Sequence, residues 1–94
     1  MNNPFQDAEK TSLSEMPEHE WLSLYRRWDR SRDSFIKKVR VNNWVVNGRL
    51  GQGMPHFKTK SEAYIRALTL IQSEIRWRDR QRWEQQHTKG EANE

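Results

Sequence analysis

The spacing of the hydrophobic residues changes period twice along this 94-residue chain, and this change constrains the fold more than any other feature. The first segment follows the helical repeat, because Trp21, Leu24 and Trp28 return to one face every three or four residues. Pro17 stands where a helix favours proline at its first position. The pattern predicts a helix over residues 17–32, with its aromatic face in the core.

An alternating pattern follows the first helix. Apolar and polar residues alternate over residues 35–41, which is typical of a strand with one covered face. The pair Asn42-Asn43 favours a turn, and Trp44 begins a second apolar run. We predict a β-hairpin here, with a short third strand over residues 56–58 after a glycine-rich connection.

The last segment returns to the helical repeat. Thr59 and Glu62 form a capping-box pattern, since each side chain can satisfy a backbone N–H group at a helix start. The large residues of the stripe that follows are Tyr64, Leu68, Ile71 and Ile75, and Ala63 and Ala67 support this stripe. The predicted fold class is therefore α+β: a small single domain with a helix, a two- or three-stranded antiparallel sheet, and a long C-terminal helix that extends past residue 75.

The domain bounds follow from these elements. Residues 1–13 are polar and acidic and lack an apolar period, so they are predicted to form a flexible leader. The α+β domain covers residues 14–86, and residues 87–94 form a polar tail. Glu74 and Arg78 are opposite charges four residues apart, a spacing that supports a solvated end of the last helix.

The inventory of reactive side chains favours a protein that is not an enzyme. The chain has no Cys, and His19, His56 and His87 lie in three different predicted elements. Spacing therefore assembles no catalytic set and no metal site, and we predict no cofactor. The glycines after the hairpin lie between strands and do not match a phosphate-binding loop. Without a signal-peptide pattern or a spanning apolar run, we expect a cytoplasmic location.

Positive charge is concentrated in the middle of the chain. Residues 21–60 carry ten Lys or Arg against two Asp, a balance of +8, whereas residues 1–20 carry −4 and residues 61–94 balance to zero. A local field of this sign favours anionic partners. We therefore predict a nucleic-acid-binding accessory or regulatory protein, which takes DNA or RNA as its partner. Its predicted phosphate contacts are Arg26, Arg30, Lys37, Lys38, Arg40, Arg49, Lys58 and Lys60.

A resemblance to known families points the same way. Residues 44–46 (WVV) and 57–63 (FKTKSEA) resemble the hairpin and following helix of integrase arm-binding and related three-stranded DNA-binding modules. With the preceding helix, residues 18–73 also resemble the double-stranded-RNA-binding domain, in which a basic cluster opens the last helix. The resemblance implies an α+β nucleic-acid-binding fold with phosphate contacts from Lys58 and Lys60.

An alternative function is that of a protein-binding adaptor, which docks on a larger partner or self-associates through the end of the last helix. Arg and Trp are enriched at interface hot spots, and both types recur there. The predicted protein-interaction residues are Arg76, Trp77, Arg80 and Trp83. In either case we expect no membrane partner.

Overall fold

The fold is described for residues 4–92, with side chains as far as residue 87, in a computed structural model of the chain. Helix α1 covers Glu18–Arg30 and helix α2 covers Lys60–Ala92. A two-stranded antiparallel sheet lies between them in the sequence. This order confirms the predicted α+β class: a helix, an antiparallel sheet and a long C-terminal helix. Within the described residues, no helix combines the length and the apolar character needed to cross a membrane.

The sheet is a hairpin of β1, Ile36–Arg40, and β2, Asn43–Val46. The predicted third strand is reduced to a single antiparallel bridge, in which the backbones of Phe57 and Trp44 exchange hydrogen bonds of 2.7 and 2.8 Å. A proline two residues before Phe57 has no N–H to donate, and α2 begins three residues after it. These neighbours leave no room for a longer strand.

Helix α1 ends two residues before the predicted limit, at Arg30, and a 3₁₀ helix, Arg32–Phe35, leads from it into β1. The Ser34 hydroxyl donates to the Ser31 carbonyl at 2.7 Å. Such local bonds from serine favour turns over continued helix. The core residues predicted for α1 are all buried: Trp21, Leu24 and Trp28.

The buried stripe of α2 runs through the two alanines that support the predicted stripe and through one of its large residues. Ala63, Ala67 and Ile71 are buried and belong to the core, where α2 packs on both strands. Alanines at this position let the helix approach the sheet closely. The larger residues of the predicted stripe lie beside it and are only partly buried: Tyr64, Leu68 and Ile75. Of these, Tyr64 stacks on Trp28 at a ring distance of 5.6 Å and thereby links α2 to α1.

The N-terminal segment, residues 5–16, packs against the rest of the fold. Ala8 and Leu13 are buried, and Leu13 belongs to the core. The amides of Ala8 and Met16 donate to the Phe5 and Leu13 carbonyls, which closes two turns. Part of the predicted flexible leader thus carries core contacts, because the side chain of Leu13 is fully buried. Residues 1–3 of that leader lie outside the described residues.

The C-terminal end of α2 also differs from the prediction. The helix continues to Ala92, through most of the predicted polar tail, residues 87–94. Residues 93 and 94 lie outside the described part of the chain.

Glu74 and Arg78 are buried, not solvated as their spacing suggested. Their side chains are 0% and 8% exposed, and Arg78 Nε donates to Glu74 Oε2 at 2.5 Å. The N-terminal segment covers this pair: the hydroxyls of Thr11 and Ser14 donate to Glu74 Oε1 at 2.6 and 2.7 Å. The prediction was wrong because an i,i+4 spacing of opposite charges occurs in exposed pairs and in buried pairs alike.

Arg78 supplies the positive charge of this buried charge cluster. Its guanidinium donates to the Leu13 and Met16 carbonyls at 3.2 and 2.8 Å and to Glu18 at 2.7 Å, and lies 5.3 Å from the Trp21 ring centre. One side chain therefore joins α2, the start of α1 and the N-terminal segment.

Candidate nucleic-acid interface

The pairing register of the hairpin decides which basic residues share a face. Ile36 pairs with Val46, and Lys37 pairs with Val45. Paired residues direct their side chains to the same face, and successive residues alternate between the two faces. Since Ile36 and Val46 are buried in the core, Lys37 and Val45 lie on the opposite, outer face of the hairpin.

Arg40 joins the outer face through an irregularity in β1. The register shifts between Lys38 and Arg40, so that Arg40 pairs with Asn43. Lys38 pairs with Trp44 on the inner face, where its ammonium lies 5.9 Å from the indole ring. Asn43 precedes Trp44 and therefore takes the opposite face. Arg40, which pairs with Asn43, thus lies on the same face as Lys37.

The outer face continues from the hairpin onto α1. A cavity of about 360 Å³ opens where the two meet. Its lining residues are Arg27, Arg30, Ser31, Ser34, Phe35, Asn47 and Gly48. The Asn47 amide donates to the Phe35 carbonyl at 2.7 Å, which extends the hairpin ladder by one residue on each strand. Asn47, which follows the buried Val46, therefore takes the outer face, whereas the Phe35 ring packs against Trp28 of the core.

We call the four cations on this surface, Arg27, Arg30, Lys37 and Arg40, the outer basic face. None of them forms an ion pair with another residue in the described part of the chain. The nearby acidic side chains have other partners: Asp29 bonds Arg32 at 3.2 Å, and Asp33 bonds Lys60 at 3.4 Å. No carboxylate lines the cavity. The positive field of this face is therefore not neutralised from within the described molecule.

Two of the predicted phosphate contacts are engaged within the protein. Arg49 donates to Gln52 Oε1 at 2.8 Å and to the Ser12 carbonyl at 3.3 Å, which places it beside the N-terminal segment. Lys60, at the start of α2, pairs with Asp33. Their positive charges are thus partly satisfied and lie apart from the outer basic face.

The remaining predicted contacts are exposed but separate. Lys58 adjoins the bridge residue Phe57, Lys38 lies on the inner face, and Arg26 does not line the cavity. The structure thus brings together three of the eight predicted residues, Arg30, Lys37 and Arg40. It adds Arg27, which was not among the predicted contacts, because only the position of the hairpin distinguishes Arg27 from its neighbour Arg26.

Arg80, predicted as a protein contact, is engaged within the protein. Its guanidinium donates to the Ala8 carbonyl at 2.8 Å and to Glu84 at 2.9 Å. A third, longer bond reaches the Gln6 carbonyl at 3.4 Å. Arg80 therefore helps to hold the N-terminal segment.

The other predicted protein contacts vary in exposure. Arg76 is exposed, whereas Trp77 and Trp83 are half-buried. The Trp83 ring stacks on His87 with 3.6 Å between ring centres, one turn further along α2. Trp83 is thus covered on one side by a residue of its own helix.

Among the described residues, two titratable groups have shifted pKa values, and neither lies on the outer basic face. A hydrogen bond from Lys10, together with its charge, lowers the pKa of the exposed Glu15 carboxyl. A hydrogen bond to the Tyr64 hydroxyl, followed by one to Asp29, raises the pKa of Arg32. Both shifts favour the charged form that each group already has at neutral pH.

Among the side chains described, residues 4–87, no three His, Asp or Glu lie close enough together to hold a metal ion. The candidate site consists of the outer basic face and the cavity within it. No protein-family model, curated protein or solved structure matches this chain.

Proposed function

We propose that this chain is a small, non-catalytic nucleic-acid-binding accessory protein that holds phosphates on its outer basic face. The observation that carries the proposal is the set of four cations on one surface, without a carboxylate partner among the described residues. A nucleic-acid backbone presents a row of anions, and its condensed counterions are released when such a surface replaces them.

The shape of the hairpin supports the same function. A two-stranded ribbon is narrow enough to enter the major groove of duplex DNA or to lie along a single strand. Its tip carries Val39 and Val41, which are 49% and 75% exposed. Apolar side chains at such a tip can contact the faces or methyl groups of bases, while Lys37 and Arg40 hold the flanking phosphates.

Titration of labelled oligonucleotides tests this function directly. Fluorescence anisotropy at low salt should show binding to at least one of duplex DNA, duplex RNA or single strands. The affinity should fall steeply as salt is raised, since phosphate contacts release counterions. Absence of binding to all three probes would overturn the proposal.

A protein-binding adaptor is the second candidate, and one observation favours it. Helix α2 has 33 residues and the molecule is 61 Å long but only 24 Å wide, so the last turns of α2 extend beyond the packed domain. Trp83, half-buried against His87, lies on this extension. If the extension mediates self-association, light scattering after gel filtration should show a mass that rises with concentration. The variant Trp83→Ala should then remain monomeric.

A further inference from the structure

We infer that the cavity between α1 and the hairpin binds one unpaired nucleotide, so that single strands or unpaired ends are the preferred nucleic acid. This inference rests on the proposed function and gives the outer basic face its substrate class. It starts from the position of the cavity, which lies within that face rather than beside it.

The arginines of the lining suit a phosphate. Arg27 and Arg30 line the cavity and form no ion pair with any other described residue. Guanidinium groups donate two parallel hydrogen bonds to a phosphate, which fixes its orientation as well as its position. The hydroxyl of Ser31 lies in the same lining and can donate a further bond.

The opposite wall suits a base. Phe35 is half-buried, and its ring meets Trp28 edge to face at 5.7 Å, so the ring is held by the core while part of it faces the cavity. Unpaired bases stack on aromatic rings of this kind. Asn47 also lines the cavity, and its side-chain amide donates a long 3.5 Å hydrogen bond to the Ser34 carbonyl. An amide offers both a donor and an acceptor, which matches the edge of a base.

The size and the rim of the cavity favour a single nucleotide. Its volume of about 360 Å³ lies at the lower end of the roughly 300–1,000 Å³ typical of ligand pockets. Gly48 forms part of the rim with φ of 68°, and a Cβ added there would meet no atom within 4 Å. The entrance beside Gly48 is therefore open. A base in an intact duplex stays in its stack and does not reach such a pocket unless it is flipped out.

The uncharged variant Asn47→Ala separates base recognition from phosphate attraction. Since it removes one hydrogen-bonding group and no charge, affinity for a single-stranded oligonucleotide should fall roughly three- to tenfold. Affinity for a blunt duplex should not change. The matched control Gln72→Ala removes an exposed amide on α2, outside the cavity, and should change neither affinity. Equal single-strand affinity for Asn47→Ala and the unaltered protein would overturn the inference.

A nucleoside 5′-monophosphate tests the pocket without any strand. Backbone amide NMR shifts should move at residues 31–35 and 47–48 on addition of the monophosphate, and less on addition of the nucleoside or inorganic phosphate alone. If inorganic phosphate produces the same shifts, the cavity is a phosphate site only, and the inference fails. It fails equally if the monophosphate produces none.

The two proposals fail in different ways. If single strands and duplexes bind equally and Asn47→Ala affects neither, the nucleotide pocket is excluded while nucleic-acid binding stands. If no oligonucleotide binds but the monophosphate shifts the cavity amides, the proposed function is excluded while the pocket stands.

Discussion

Glu74 has a fully buried carboxylate, and both of its oxygens have partners. Oε1 accepts from Thr11 and Ser14, and Oε2 accepts from Arg78. A buried ion pair adds little stability by itself, since the cost of desolvation offsets the attraction. Removing one partner is costly, however, because it leaves the other charge buried without compensation.

The variant Glu74→Gln should therefore lose much of the stability of this small domain. Arg78 would keep its bond to Glu18 but lose its fully buried carboxylate partner, at a cost of about 1–3 kcal/mol in the free energy of unfolding. Urea denaturation followed by tryptophan fluorescence measures the loss. The control Glu15→Gln alters an exposed pair with Lys10 and should leave the urea midpoint nearly unchanged. Equal midpoints for the two variants would contradict the buried charge cluster.

Gly51 is required for a steric reason. A Cβ at this position would fall on the carbonyl oxygen of Val46, so the backbone of β2 would have to move. Gly51→Ala should lower the free energy of unfolding by about 1–3 kcal/mol, as overpacking does elsewhere. A Cβ at Gly53 would contact no atom within 4 Å, so Gly53→Ala costs only the backbone strain of a residue with φ at 82°. Thermal denaturation should rank Gly51→Ala below Gly53→Ala, and the reverse order would count against the described loop.

At the scale of secondary structure, the start of α2 was predictable because its signal is local. The Glu62 amide donates to Thr59 Oγ1 at 3.1 Å, as the capping-box pattern predicts. Thr59→Ala should destabilise the domain by about 1 kcal/mol, a typical loss for an N-cap. Thr69→Ala makes the same change at an exposed position inside α2 and should not destabilise, since alanine is the better helix former. A calorimetric melting temperature for each variant checks this difference.

The sequence predicts the presence of the hairpin, but it does not predict which residues lie on each of its two faces. Alternation over residues 35–41 and an asparagine pair indicate two strands, because both signals are local. The face on which Arg40 lies depends on the register shift after Lys38, and no residue type in β1 indicates that shift. Arg27 and Arg26 look equivalent in the sequence, and only the loop after β2 places Arg27 in the cavity lining. Contacts between distant segments therefore determine the candidate site.

The burial of Glu74 and Arg78 also depends on a contact between distant segments of the chain. Glu74 and Arg78 have the spacing of a solvated pair, and only the docking of Leu13 reverses that interpretation. A single leucine in a polar stretch has no period, so sequence patterns assign it to the leader. The structure assigns it to the core.

For the whole molecule, the N-terminal segment should behave as part of the domain. Deletion of residues 1–15 removes Leu13 from the core and two hydroxyl donors from Glu74. The loss of the leucine alone should amount to about 2–5 kcal/mol in the free energy of unfolding. Urea denaturation of the shortened chain should therefore show a much lower midpoint. An unchanged midpoint would mean that the segment is a flexible leader after all.

The salt dependence of nucleic-acid binding tests the outer basic face most directly. The variant Lys37→Ala/Arg40→Ala removes two phosphate contacts, so the slope of log affinity against log salt should flatten by roughly 1.4 on a single strand and roughly 1.8 on duplex DNA. The control Arg66→Ala/Arg76→Ala removes the same charge from an exposed groove beside the N-terminal segment. The control should keep the slope of the unaltered protein. An unchanged slope for Lys37→Ala/Arg40→Ala, or equal flattening in both variants, would show that the outer basic face does not hold the phosphates.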